Sequence, residues 1–178
     1  MSRARPDFVF TLHSHLPYVL NHGRWPHGSD WLCEAAIDTY LPLLEVLHEL
    51  AAEAIPAPLT IGITPVLANQ LASPEFVKEM EAFFEQRLTT CAEAPASLAA
   101  TGDRALLPLL EFWRDRLLRL RRRFREAGGD LIGAFRALEA AGRIEIIGSA
   151  ATHGFRHRRE RQQTSTGGKL FGDAGVLH

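Results

Sequence analysis

Two histidines one residue apart, His13 and His15, follow the short apolar run Phe8-Val9-Phe10-Thr11-Leu12. A third, His153, lies in Ala151-Thr152-His153-Gly154, directly after Arg143-Ile144-Glu145-Ile146-Ile147 and Gly148-Ser149. Alternate residues of an extended chain share a face, so an HxH pair can ligate a metal or hydrogen-bond a polar ligand such as a sugar hydroxyl. Spacing alone does not separate the two. A metal site would want a third ligand, which His153 could supply, but no Asp or Glu sits with either histidine cluster. Trp31 reads equally as a core or loop-anchoring side chain and as an aromatic surface for a ligand. Cys33 and Cys91 lie far apart with no CxxC spacing, so neither a zinc knuckle nor a disulfide framework is expected, and a reducing cytoplasm fits best.

The elements that must hold these groups are legible from hydrophobic period. Residues 8–12 predict a buried strand that stops at His13. Ile37, Tyr40, Leu41, Leu44, Leu47 and Leu50 recur at helical spacing within 31–53, with Ser29 and Asp30 as candidate N-caps and Pro42 placed to kink or split the helix. Residues 59–63 predict a second strand ending at Thr64-Pro65, with a short helix over 66–71. Ser73-Pro74 opens another helix, whose stripe is Phe76, Val77, Met80, Phe83, Phe84 and Leu88. Residues 94–103, rich in Ala, Pro, Ser, Thr and Gly, read as a loop. A long helix follows with Leu106, Leu109, Leu110, Trp113, Leu117, Leu120 and Phe124 on one face and Gly128-Gly129 as its stop. Asp130 caps a helix over 131–141, Gly142 ends it, and residues 143–147 predict a third strand.

Strand, helix, strand, several helices, strand argues for parallel crossovers and an α/β sheet or barrel. In such folds ligands sit beyond the carboxyl ends of the strands, where His13, His15, Thr64 and His153 all fall, so the histidine clusters are expected to face one pocket. With 178 residues, 46% of them hydrophobic, the chain has enough apolar side chain for a real core. A net charge of −1 gives no global reason to expect nucleic acid or an anionic membrane as partner. The arginine cluster 114–125 has acidic residues interleaved and reads as a solvated helix face. The apolar run near the N-terminus is too short for a signal-peptide core, and no transmembrane stretch is visible.

Several segments together carry a family resemblance. Leu12 to Ala35, LHSHLPYVLNHGRWPHGSDWLCEA, is similar to the opening motif of glycoside hydrolase family 57, above all its branching-enzyme group, in which HxHLPYV precedes HGxWPxG and a tryptophan. Leu41-Pro42-Leu43-Leu44, the segment from Gly62 to Ala68 with Gln70-Leu71, Gly129-Asp130-Leu131-Ile132 with Phe135-Arg136, and Ser149 to Phe155 resemble the same group. The resemblance covers residues 7–155. It implies the N-terminal portion of an incomplete seven-stranded (β/α) barrel, here about three parallel strands with intervening helices. It also implies an α-glucan substrate, no cofactor, and retaining cleavage of α-1,4 links with transfer to a glucan 6-hydroxyl. A glutamate nucleophile and an aspartate acid/base would carry that chemistry. By the same resemblance His13 and His153 contact the sugar near the cleavage point, Trp31 packs on the glucan, and His15 supports the site.

The resemblance ends at Phe155. The family continues with a proline-leucine segment and then the strand that delivers its nucleophile, whereas here Arg156-His157-Arg158-Arg159 follow. The expected organisation is therefore a partial barrel over 1–155 and an aberrant tail over 156–178, out of register with the family and without a core-forming pattern. Glu34, Asp38, Glu145 and Glu160 match neither catalytic motif, so the chain is expected to be an inactive N-terminal fragment. A 4-α-glucanotransferase or α-amylase/amylopullulanase of the same family, a metal-dependent polysaccharide deacetylase-like enzyme, and a non-catalytic glucan-binding fragment are the competing readings.

Overall fold

A computed structural model of the chain describes residues 9–149, so His153 and the tail lie outside the described residues. Three parallel strands, β1 (Phe10–Ser14), β2 (Leu59–Ile63) and β3 (Ile144–Ile147), form one sheet in the order β1-β2-β3. The register pairs His13 with Gly62 and Gly62 with Ile147, bringing these three residues to one level near the strands' carboxyl ends. The α/β class and parallel crossovers expected from the sequence are both present. β1 is shifted from its expected position. It does not stop at His13 but runs through Ser14, and the ladder continues into the Thr64 N–H, which donates to the Ser14 carbonyl at 3.2 Å.

The helices α1 (Ser29–Ala35), α2 (Leu41–Ala52), α3 (Pro65–Leu71), α4 (Pro74–Thr101), α5 (Leu107–Glu126) and α6 (Leu131–Ala140) form the second layer. Period-2 alternation divides the sheet between that layer and the outside. Leu59, Ile61, Ile63 and Ile144 are buried in the core with Phe76, Phe83, Phe84, Phe124 and Phe135. The alternate positions Val9, Thr11, His13, Glu145 and Ile147 are exposed. Polar caps set the helix starts that lead away from the strands: the side-chain oxygens of Thr64, Ser73 and Asp130 accept from the backbone N–H of Leu67, Glu75 and Gly133.

Five expectations change in the helical layer. Residue 28, not Ser29 or Asp30, caps α1; Ser29 and Asp30 lie inside the helix and their side chains bond elsewhere. The irregularity expected at Pro42 is a π-turn over Ala36–Tyr40, after which Pro42 starts α2 at a position needing no N–H. Residues 94–101 are helical, the end of α4, because the alanine-rich segment outweighs Pro95 and Gly102 closes the helix at φ 82°. The apolar stripe of α5 is buried only in its C-terminal half, at Leu117, Leu120 and Phe124; Leu106, Leu109 and Trp113 are exposed. The arginines of α5 are not simply solvated either. Arg119 pairs with Glu45 of α2 at 3.2 Å, and Arg121 and Arg125 converge on Glu81 of α4 at 3.1 and 2.7 Å.

Candidate functional site

His13 is the last residue of β1 on the helix-free face. Its partner in the ladder is Gly62, and a Cβ built there would lie 3.3 Å from His13 Nδ1 and 3.6 Å from Ile147 Cγ1. The imidazole therefore lies against the backbone of the central strand, and glycine keeps that place open. One level below, Thr60 Oγ1 donates to Glu145 Oε2 at 3.1 Å across β2 and β3. Thr11, Thr60, His13 and Glu145 make this face polar, unlike the isoleucine-rich face beneath it.

His15 belongs to the same strand end but leaves the sheet. Its Nδ1 is hydrogen-bonded to Thr64 Oγ1 at 3.3 Å, tying the loop after β1 to the N-terminus of α3. Ser14 points to the opposite side, where it bonds the phenol of Tyr40. Burial raises the Tyr40 phenol above its ordinary value of 10.0, and the Ser14 bond acts in the opposite sense. Tyr40 reaches this position from the π-turn. A carbonyl left over by the wider turn, that of Ile37, accepts from Arg116 Nη2 at 3.1 Å.

The loop from His15 to Gly28 has almost no secondary structure of its own, yet its backbone is fixed at both ends. Gln70, fully buried on α3, accepts from the Val19 and Leu20 N–H groups at 2.7 and 3.4 Å through Oε1. Its Nε2 donates to the Pro17 carbonyl at 2.9 Å and to that of Val66 at 3.4 Å. At the other end Arg24 Nε donates to Asp30 Oδ1 at 2.9 Å and its Nη2 to Gln86 Oε1 at 3.0 Å. The Arg24 carbonyl accepts from the Gly28 and Asp30 N–H groups, and Ser29 Oγ donates to Glu79 Oε2 at 2.9 Å. Gly28 packs so tightly that a Cβ would strike the Gly23 carbonyl. Neither Gln70 nor this network was found as a functional feature by sequence reasoning; Gln70-Leu71 entered only as part of a resemblance.

Trp31 sits in the first turn of α1, 39% exposed, its ring edge-on to His27 at 6.0 Å between centroids. Of the residues expected to act together, His13 and His15 share a strand end and Trp31 closes the loop that leaves it. His153 lies outside the described residues. Among the described residues no three His, Cys, Asp or Glu side chains come together as a metal-holding group, and no helix is long and apolar enough to cross a membrane. Both cysteines are free. Burial, with the neighbouring Asp30 and Glu79 carboxylates, pushes the Cys33 thiol up to about 12, so no thiolate nucleophile is available there. Glu34 and Asp38 face Arg87 and Arg116 in the helical layer. Neither belongs to the strand-end site.

Residues 9–157 match the sequence profile described as glycosyl hydrolase family 57. The chain is similar to a 1,4-alpha-glucan branching enzyme of Thermococcus kodakarensis, 36% identical over 147 residues that make up 83% of this chain and 21% of the relative. Its fold superposes on the crystal structure of a GH57-type branching enzyme from Pyrococcus horikoshii with a TM-score of 0.76 and 37% identity, covering 82% of this chain and 27% of that one. It also superposes on the alpha-amylase AmyC from Thermotoga maritima with a TM-score of 0.75 and 26% identity, covering 86% and 29% of the two chains. The chain thus spans between a fifth and a third of the length of these relatives.

Proposed function

Because the chain belongs to glycosyl hydrolase family 57, we propose that it forms the histidine-bearing side of the α-glucan site of a 1,4-α-glucan branching enzyme. The observation that carries this reading is the placement of His13. It lies over Gly62 at the carboxyl end of the central strand, on the polar face that no helix of the described residues covers. A side chain there, donating or accepting through its outer ring nitrogen, suits a sugar hydroxyl at the centre of a barrel mouth. In this reading His13 and His153 contact the sugar near the cleavage point, Trp31 packs on the glucan, and His15 keeps the strand end in place through Thr64.

Two carboxylates are required for retaining transfer, one to attack the anomeric carbon and one to protonate the departing oxygen. Glu34 and Asp38 are turned into the helical layer, and Glu145 is engaged by Thr60. Among the described residues we assign the chain the binding half of the site and no carboxylate pair. In this reading residues 1–155 are a partial barrel by sequence, and 156–178 are a tail out of register with the family. A cytoplasmic role in glycogen synthesis accords with two free cysteines and with the branching enzymes among the relatives.

Titration of the chain with maltoheptaose tests the assignment. Binding that is lost in His13→Ala and His153→Ala, without any branching activity of the chain alone, is the expected result. Stoichiometric zinc held by His13 and His15 in purified protein would overturn it in favour of a metal-dependent deacetylase-like enzyme. Translation of the coding DNA past codon 155 in all three frames tests the tail. A proline-leucine segment followed by a glutamate-bearing strand in another frame is expected.

A further inference from the structure

α4 and α5 form a helical hairpin, joined through the short turn that begins at Gly102. At its base the hairpin is part of the core, through Phe83 and Phe84 of α4 and Leu117, Leu120 and Phe124 of α5. α1 and the π-turn lie across it where Glu34 pairs with Arg87 and Asp38 with Arg116. Towards the tip the cover stops. None of residues 91–116 is buried, and Leu106, Leu109, Phe112 and Trp113 are between 42% and 58% exposed. Leu106, Leu109 and Trp113 continue, at helical spacing, the stripe that Leu117, Leu120 and Phe124 bury lower down. A stripe that is core at one end and bare at the other lacks a helix opposite its outer half. At the junction, Trp113 and Leu117 border an open cleft of about 330 Å³ with Ile37, Phe83 and Cys91.

The charges around this bare half select its partner. Arg104 and Arg114 are balanced by Glu111 and Asp115, so the face suits neither a polyanion nor a strongly basic surface. It does suit itself. When two copies of the segment 104–115 lie antiparallel about a twofold axis between Leu109 and Leu110, Leu106 falls opposite Trp113 and Leu107 opposite Phe112. In the same register Arg104 meets Asp115, and no like charges face each other. A parallel pairing would set Arg104 on Arg104 and Asp115 on Asp115. The facing stretch of α4 is rich in small residues, Ala92, Ala96, Ala99 and Ala100, which let a neighbouring helix come close. Two helices bare over about 15 Å offer about 500 Å² per copy, or about 1,000 Å² in all, the lower bound for a specific interface.

We propose that the outer half of the α4–α5 hairpin is a self-association surface, on which two copies of this chain pack antiparallel and close a four-helix bundle. Leu109 lies at the axis, Trp113 is covered by the partner's Leu106, and the tip of the partner's hairpin ends over the cleft beside Trp113. The pairing uses the helical layer and leaves the polar sheet face with His13 open. It stands independently of the α-glucan assignment.

Sedimentation velocity of the full chain from about 1 to 200 μM reads the association, since an interface of this size gives a dimer of micromolar affinity. The expected result is a monomer–dimer transition in that range. Leu109→Glu sets two carboxylates at the axis, and because each change counts twice in a symmetric dimer, affinity should fall about a hundredfold. Unaltered far-ultraviolet dichroism in that variant would show that the fold is intact, as expected for a half-exposed position. Arg104→Asp and Asp115→Arg should each weaken the dimer about fivefold, and the chain carrying both should regain the original affinity. Such rescue cannot arise within one chain, where the two positions lie about 16 Å apart along the helix. A monomer at every concentration overturns the inference. So does association that Leu109→Glu leaves unchanged, which would place the contact on the sheet edges instead, and so does a double variant weaker than either single one.

Discussion

The two faces of the three-stranded sheet are built from the same strands and differ in every other respect. Ile61 is 1% exposed and packs with Leu59, Ile63 and Ile144 under the helical layer. Thr60 and Gly62, its immediate neighbours in sequence, look the other way, towards Thr11, His13 and Glu145. One face holds the fold together by apolar burial, and the other carries polar side chains, among them Thr60 donating to Glu145. A one-residue shift in register would exchange the two. That is why the steric detail at Gly62 matters: on this face a glycine serves the neighbour's ring and not the strand.

The comparison breaks most visibly on the buried side. Ile61→Ala should lower unfolding free energy by about 2–4 kcal/mol, through lost burial and the cavity left behind. A urea midpoint shift no larger than that of Thr60→Ala would mean that the two faces are not energetically distinct. Gln70→Leu should cost about 1–3 kcal/mol, since the Val19 N–H and the Pro17 carbonyl would lose a buried partner. Hydrogen exchange at Val19 should accelerate more than at Ile61, and equal acceleration would show that Gln70 supports the core generally and not the loop.

Glu81 sharpens the contrast from the helical side. Hydrogen bonds from Arg125, and more weakly Arg121, hold its carboxyl below its ordinary 4.5. A depressed folded-state value stabilises above the unfolded value and is lost as pH falls through the folded one. Glu81→Gln should therefore cost about 0.5–1 kcal/mol at pH 7, a small figure because the pair is partly solvated, and the two stability curves should converge as pH falls from 4.5 through the depressed folded-state value. Separation that does not narrow at all as pH falls below 4.5 would point to packing instead of charge. Smallest in stability is Gly62→Ala, expected within about 0.5 kcal/mol because the added methyl lies on the open face. Its effect should appear in maltoheptaose affinity, since His13 Nδ1 lies 3.3 Å from the new methyl and must move.

Much of this was readable before any coordinates. β2 spans the residues its β-branched run predicts, Ser73-Pro74 and Asp130 start helices where they should, and Gly128, Gly129 and Gly142 adopt the positive φ that helix ends require. Residues 94–103 misled because a run of Ala, Pro, Ser, Thr and Gly without a period reads as a loop, whereas the alanines supply enough propensity to carry α4 past Pro95 to Thr101. The exposure of Leu106, Leu109 and Trp113 was hidden by a perfect helical period. Periodicity states which residues share a face, not whether anything lies opposite.

The strands and helices, the parallel order and the histidines at a strand's carboxyl end were determined by local pattern, since period and capping act within a few residues. Tertiary structure alone decided that His13 faces the open side over Gly62 and that Tyr40 reaches Ser14 from a π-turn. It also decided that Gln70 and Gln86, about fifty and sixty positions along the chain, hold the loop whose rings stand exposed. Those partners meet only because two crossovers bring their helices beneath the same loop, and no spacing in the sequence encodes that meeting.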